Sequence, residues 1–284
     1  MITIRSVKKA MKYDHPYLME NDQEAFRLDV KTDPDAVRKQ AQICGIGAGA
    51  RVLDAGCGSG KTTAVLHDMI QPGGTIVGVD FAQDRISFAQ SSYGGKPGIE
   101  FRLMDLREPL NELGQFDFIW MRFVLEHYRE GAQEIVTMVA ESLAPEGTLC
   151  LLDLDYNCLS HYPIKPEMEK VLQMLMHKMM HSYNFDPYVG RKLYAYLYDR
   201  AFRAIKVDMI PHHLIYGDLK DSDDFNWIKK IEMASLKARE YFEAYPGGYE
   251  GFLENFTAFF HDPRRFTYTP LMICTGKKPE PRRS

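Results

Sequence analysis

The chain has 284 residues, 45% of them hydrophobic and 26% charged, and carries a formal net charge of −4. That is the balance of a globular protein with ample core, which sets aside collagen-like, disordered and membrane-embedded classes. No dense basic block precedes the tail Lys277-Lys278-Pro279-Glu280-Pro281-Arg282-Arg283, so a nucleic acid partner is not expected.

The start, Met1-Ile2-Thr3-Ile4-Arg5-Ser6-Val7-Lys8-Lys9, lacks the apolar core of a signal peptide, and no run reaches membrane-spanning length. A cytoplasmic location without a membrane span is the resulting expectation. Cys44, Cys57, Cys150, Cys158 and Cys274 are scattered, with neither disulfide-framework nor zinc spacing, and read as packing residues. Residues 1–44 read as an N-terminal helical cap, in which Tyr13, Tyr17, Leu18, Phe26 and Leu28 supply apolar material and Asp33-Pro34 opens a helix that runs to Cys44.

Residues 45–284 read as one further domain, organised around Arg51 to Thr63. Here an apolar run ending in Asp54 gives way to Gly56, Gly58 and Gly60, then to a helix over Lys61 to Met69. A buried strand that enters a helix through glycines lets a ligand approach the main chain, and free N–H groups there suit a negative group. The spacing discriminates among nucleotide sites. A dinucleotide fingerprint needs a third glycine where Lys61 stands. A phosphate-binding P-loop matches at Gly60-Lys61-Thr62 and would use Asp153, at the end of Leu149-Cys150-Leu151-Leu152-Asp153, for magnesium. Asp54 opposes that reading, because an unpaired carboxylate beside the turn would repel phosphates.

Up to Leu154 the chain alternates apolar runs with helical patterns, including Asp84 to Ser92 and Glu130 to Leu143, as in a parallel sheet with right-handed crossovers. The second run, Thr75-Ile76-Val77-Gly78-Val79-Asp80-Phe81, ends in an acid about 20 residues past the turn, where a ribose-binding carboxylate belongs.

Asp54-Ala55-Gly56-Cys57-Gly58-Ser59-Gly60 is similar, residue for residue, to the D-x-G-C-G-x-G signature of the class I S-adenosylmethionine-dependent methyltransferases. Ile99 to Leu106, Phe116 to Met121 and the turn Leu143 to Thr148 follow in that family's order, so the resemblance covers residues 45–155. Glu146 departs from the pattern, standing where a second glycine is usual. The type resembled is the small-molecule one, as in ubiquinone and menaquinone biosynthesis. The resemblance implies an α/β fold with a Rossmann-like, seven-stranded, mostly parallel sheet, helices on both faces and a helical lid. It also implies S-adenosyl-L-methionine as cofactor and a small-molecule methyl acceptor.

Site roles follow from the same resemblance. Gly56, Cys57 and Gly58, beside Asp54, would hold the methionyl part through turn N–H groups. Asp80 and Phe81 would meet the ribose, and Met104, Asp105 and Leu106 the adenine. Arg122, ending the fourth strand, is placed to touch the cofactor. Arg27 is either a partner for the methionine carboxylate or a surface helix arginine. His127, in Leu125-Glu126-His127, and His161 are the candidate catalytic bases, or else histidines that orient loops. Asp153 and Asp155 do not complete a metal ligand set, so no metal is expected. Helical insertions are expected near 156–184, rich in methionine, and 216–265, rich in aromatics. Two rivals remain open: a P-loop-like hydrolase or kinase, and a non-catalytic S-adenosylmethionine-binding protein. The oligomeric state is not legible.

Overall fold

The computed structural model describes residues 24–220, 223–224, 227–228, 230–232, 235 and 238–279. Tyr13, Tyr17 and Leu18 of the expected cap lie outside the described residues. In chain order the elements are α1 (Glu24–Lys31), α2 (Pro34–Cys44), β1 (Arg51–Ala55), α3 (Lys61–Met69), β2 (Thr75–Asp80), α4 (Gln83–Tyr93), β3 (Ile99–Leu103) and β4 (Phe116–Arg122). They continue with α5 (Ala132–Glu141), β5 (Leu143–Leu154), β6 (His161–Tyr162), α6 (Pro166–Ser182), α7 (Leu193–Tyr198), β7 (Arg203–Tyr216), α8 (Gly248–His261) and β8 (Phe266–Lys277).

Strands β3, β2, β1, β4 and β5 are parallel neighbours in that order, and β8 pairs antiparallel with β5, β6 and β7. The sheet has eight strands, against the seven expected, because His161 and Tyr162 add a short strand against Phe266 and Thr267 of β8.

Alternation along each strand explains the layers. Val52, Ile76, Trp120 and Leu152 point to one face, where α2, α3 and α4 supply Val37, Ala41, Leu66 and Ile86. Their sequence neighbours Leu53, Val77, Ile119 and Leu151 point to the other, against Ile135, Val136 and Val139 of α5 and Leu197 of α7. The caps are local: Asp33 accepts hydrogen bonds from the N–H groups of Asp35 and Ala36, Pro34 opens α2, and Gly45 at φ 77° ends it.

The two insertions form a third core of their own. Met168, Leu172 and Leu175 of α6 pack with Phe252, Phe256 and Phe260 of α8 and with Trp227. The methionine and aromatic stripes therefore mainly bury one another. Among the described residues no helix is long and apolar enough to cross a membrane.

Candidate functional site

A cavity of about 380 Å³ lies at the carboxyl ends of β1, β2 and β4, where open parallel sheets bind ligands. Its glycine turn is held tightly from behind. Gly56, Gly58 and Gly60 have φ of 85°, 53° and 82°. A Cβ on Gly56 would lie 2.4 Å from Val124 Cγ2, and one on Gly60 2.7 Å from Ala89 Cβ. Both glycines are thus demanded by packing as well as by backbone conformation.

The turn departs from expectation in its donors. The N–H groups of Gly56 and Cys57 both donate to the Val79 carbonyl, at 2.8 and 2.9 Å, and that of Gly58 donates to Asp80 Oδ2 at 3.0 Å. None of the three is left to face a ligand, so what the glycines offer is space. A phosphate cradle needs the opposite arrangement.

Asp80 joins β2 to this turn. Its Oδ2 accepts from Gly58, and its Oδ1 accepts from the Ala82 N–H at 3.0 Å and from Arg85 Nε at 2.9 Å. A carboxylate offers about four acceptor positions, so one remains for a ligand hydroxyl rather than the two of a doubly bound ribose.

Asp54 does not reach the cavity. It is buried, accepts a 2.6 Å hydrogen bond from Thr63 Oγ1, and burial raises its carboxyl to about 7 despite that bond and nearby Arg122. The electrostatic argument against phosphates therefore passes from Asp54 to Asp80. Lys61, which a P-loop would aim at phosphates, donates to the Asp29 carbonyl at 2.8 Å. The buried Asp153 carboxylate accepts from the N–H groups of Glu126 and Leu154. Neither residue borders the cavity.

Of the other residues named from sequence, Cys57, Phe81, Met104, Leu106, Arg122 and His127 line the cavity; Arg27, Asp105 and His161 do not. Arg27 forms a 2.6 Å ion pair with buried Glu24. Burial works to raise the Asp105 carboxyl, but side-chain and backbone hydrogen bonds from Arg107 outweigh it and hold it below the usual range. Arg122 is lowered to about 10, mainly by burial; its Nε donates to Gln40 Oε1 and its guanidinium stacks 4.0 Å over the Phe123 ring.

The two histidines separate. Burial, with Arg85, Lys31 and Arg27 nearby, pushes His127 down to about 3, so its imidazole is neutral at ordinary pH and weakly basic. His161 belongs to the lid, with its ring nitrogens 2.9 Å from Thr267 Oγ1 and 3.2 Å from the Cys158 carbonyl, and Trp227 and Phe260 against its ring.

Sequence reasoning missed Lys31, Phe123, Tyr183, Asn184 and His212, all of which line the cavity. Phe123 and Asn184 have φ of 58° and 54°, rare for residues with side chains, but only coordinates reveal that signal. The adjacent pair His212-His213 was visible and passed over. His212 Nε2 is buried without a hydrogen-bond partner, and its ring meets Phe123 edge-on at 4.9 Å.

Three donors of the turn are thus occupied from within, and Asp80 borders the cavity. Residues 52–147 match the methyltransferase domain model, and residues 10–93 match that of the protein-L-isoaspartate (D-aspartate) O-methyltransferases. Over residues 52–147, about a third of its length, the chain is a methyltransferase domain of the S-adenosylmethionine-dependent kind. That family's cofactor is S-adenosylmethionine.

An uncharacterized 37.1 kDa transposon protein of Streptomyces fradiae is 25% identical over 70% of this chain and 57% of its own. The ubiquinone biosynthesis O-methyltransferase of Dechloromonas aromatica is 30% identical over 48% of this chain and 57% of its own. The nocamycin O-methyltransferase of Saccharothrix syringae is 34% identical over 36% of this chain and 37% of its own. The chain thus spans about half the length of the curated relatives it matches. In fold, this chain is similar to a Bacillus halodurans structure described as a putative methyltransferase, with TM-score 0.57 and 14% identity over 86% of this chain and 99% of that one. It is also similar to a Haemonchus contortus phosphoethanolamine N-methyltransferase in complex with S-adenosyl-L-methionine, with TM-score 0.53 and 14% identity over 87% of this chain and 53% of that one.

Proposed function

We propose that this protein transfers the sulfonium methyl group of S-adenosylmethionine to a small-molecule acceptor bound under the helical lid. The observation that carries this reading is the turn: the N–H groups of Gly56, Cys57 and Gly58 are spent on Val79 and Asp80, and the acid at the end of β2 borders the cavity. At that turn a triphosphate would find none of these three donors free and would face the Asp80 carboxylate, whereas a nucleoside hydroxyl could be accepted there. The O-methyltransferase activity named for several relatives is consistent with a small acceptor.

The cofactor, when bound, supplies a methyl group already activated by sulfonium. The chain's residues then have to orient the acceptor in line with it and exclude water. In this reading Gly56 and Gly58 leave room for the methionyl chain, the remaining acceptor position of Asp80 takes one ribose hydroxyl, and Phe81, Met104 and Leu106 flank the nucleoside. Arg122 would answer the methionine carboxylate, while Arg27 is held by Glu24 outside the cavity lining. Asp105, its carboxylate engaged by Arg107, would act indirectly by fixing the Met104–Leu106 loop.

The bases named from sequence take smaller parts. His127 orients through a neutral ring, because a group at about 3 holds a proton too weakly to remove one from a hydroxyl. His161 stabilises the lid. Tyr183 and Asn184 contribute the acceptor side from the end of α6.

Isothermal titration with S-adenosylmethionine and with magnesium ATP tests the reading directly. Binding of the first and not the second is expected, and Asp80→Ala should abolish it. Grip on magnesium ATP at this turn would overturn it. An acceptor screen read by adenosylhomocysteine formation separates an enzyme from a non-catalytic binder.

A further inference from the structure

Resting on the methyltransferase reading, we propose that the acceptor is an anion, held by Lys31 at the edge of the cofactor cavity. The argument is a charge balance. The charged residues lining the cavity are Lys31, Asp80, Arg85, Arg107 and Arg122. Arg85 pairs with Asp80 at 2.9 Å, and Arg107 pairs with Asp105, just behind the wall, at 2.6 Å. Lys31 and Arg122 are left, and among the described residues neither has a carboxylate within ion-pair distance; the partners of Arg122 are the neutral Gln40 and Phe123.

S-adenosylmethionine does not balance these charges. Its sulfonium and ammonium outweigh its carboxylate, so it brings a net positive charge, and that single carboxylate can answer only one of the two cations. Loading the cofactor thus leaves a cavity with more uncompensated positive charge than before. A neutral acceptor would leave that charge in place, whereas an anionic one removes it.

Lys31 is the residue positioned for the task. It ends α1, lines the cavity, and lies with Lys230, Arg27 and Arg122. Desolvation in the cavity and those cations lower its ammonium to about 8 despite Glu126, which acts the other way. The carboxyl facing the group is Glu126, itself raised by burial; it accepts a hydrogen bond from Asn157 and has Asp153 beside it. Glu24 is committed to Arg27, and Asp54 is raised to about 7 behind Arg122.

The test is titration of the full chain, loaded with adenosylhomocysteine, with benzoate and with benzamide, which share a shape and differ in charge. Benzoate should bind at least about tenfold more tightly, a preference that added salt weakens. Lys31→Gln should erase the preference while leaving adenosylhomocysteine affinity unchanged, and Lys31→Arg should retain it. Equal binding, preference for benzamide, or binding of neither would overturn the proposal. So would a Lys31→Gln loss confined to adenosylhomocysteine, which would assign Lys31 to the cofactor. Failure of adenosylhomocysteine itself to bind the wild-type chain would instead strike the methyltransferase reading.

Discussion

Replacing Gly56 by alanine tests whether the turn is fixed by packing as well as by backbone conformation. The new Cβ would sit 2.4 Å from Val124 Cγ2, more than an ångström inside the usual carbon–carbon contact distance of about 3.5 to 4.0 Å. Val124 is buried and β-branched, and its Cβ and Cγ1 stand 3.6 Å from the same point, so rotation swings another methyl toward the clash. Overpacking of this kind costs about 1–3 kcal/mol, and a left-handed non-glycine residue at φ 85° adds about 1–2 kcal/mol. Gly56→Ala should therefore cost about 2–5 kcal/mol in urea unfolding, a large share of the roughly 5–15 kcal/mol that holds a domain folded. Val124→Ala removes the obstructing methyl, so the double variant should recover the packing part as a coupling of about 1–3 kcal/mol. A Gly56→Ala loss below about 1 kcal/mol, or additive single-site effects, would refute the packing argument. Both residues line the cavity, so the single variant should also weaken S-adenosylmethionine binding, and the double variant should regain part of it.

Lys61→Ala removes a bond to the Asp29 carbonyl and nothing in the cavity; it should cost no more than about 1.5 kcal/mol in unfolding and leave S-adenosylmethionine affinity within about twofold. A large affinity loss would revive the phosphate-binding reading. Asp54 is raised in the folded state, so its proton favours folding below the unfolded value near 3.9, and that contribution is lost as pH climbs toward about 7. The gap of about three pH units caps the contribution at about 4 kcal/mol, and Asp54→Asn should flatten it when unfolding of the two proteins is compared at about pH 5 and about pH 8. His127, held near 3, should show no ring-proton titration by NMR between about pH 5 and about pH 8; a midpoint inside that window would make it a working base after all. His161→Phe should retain cofactor affinity and lower the melting temperature, since it deletes the contacts with Thr267 and Cys158 at a cost of about 1–3 kcal/mol.

The part of the cavity lining that lies at strand ends was legible in the sequence. Where alternating side chains are buried on both faces, the end of each strand is fixed to within a residue or two, and α3 begins and ends at the expected Lys61 and Met69. Which turn groups face the ligand was not legible, since that depends on the Val79 carbonyl reaching across from β2. The rest of the lining was hidden for another reason. Lys31, Phe123, Tyr183 and His212 come from the end of α1, the loop after β4, the end of α6 and the middle of β7, and no periodic pattern links positions so far apart. His161 misled because it shares a sequence neighbourhood with Asp153 and Asp155, yet the chain turns at Tyr156 and Cys158, with φ of 52° and 63°, and carries it into the lid core.

The glycine turn also shows how one local motif can serve opposite charges. A strand–turn–helix with its N–H groups outward is an anion site, because those donors and the helix dipole add. Here the same backbone donors fold back onto Val79 and Asp80, and the acid that receives the Gly58 bond also draws in Arg85. Three donors of the turn are thereby taken up from within, which weakens its attraction for a phosphate. A ligand with a positive centre meets no opposing field there. Of the cations that remain in the lining, Arg122 would take the methionine carboxylate and Lys31 the acceptor. If that division of charge is right, acceptor selectivity should depend on salt while cofactor affinity depends on it less, because the cofactor brings both signs and an anionic acceptor only one. Equal salt slopes for the two ligands would show that the cavity does not separate charge in this way.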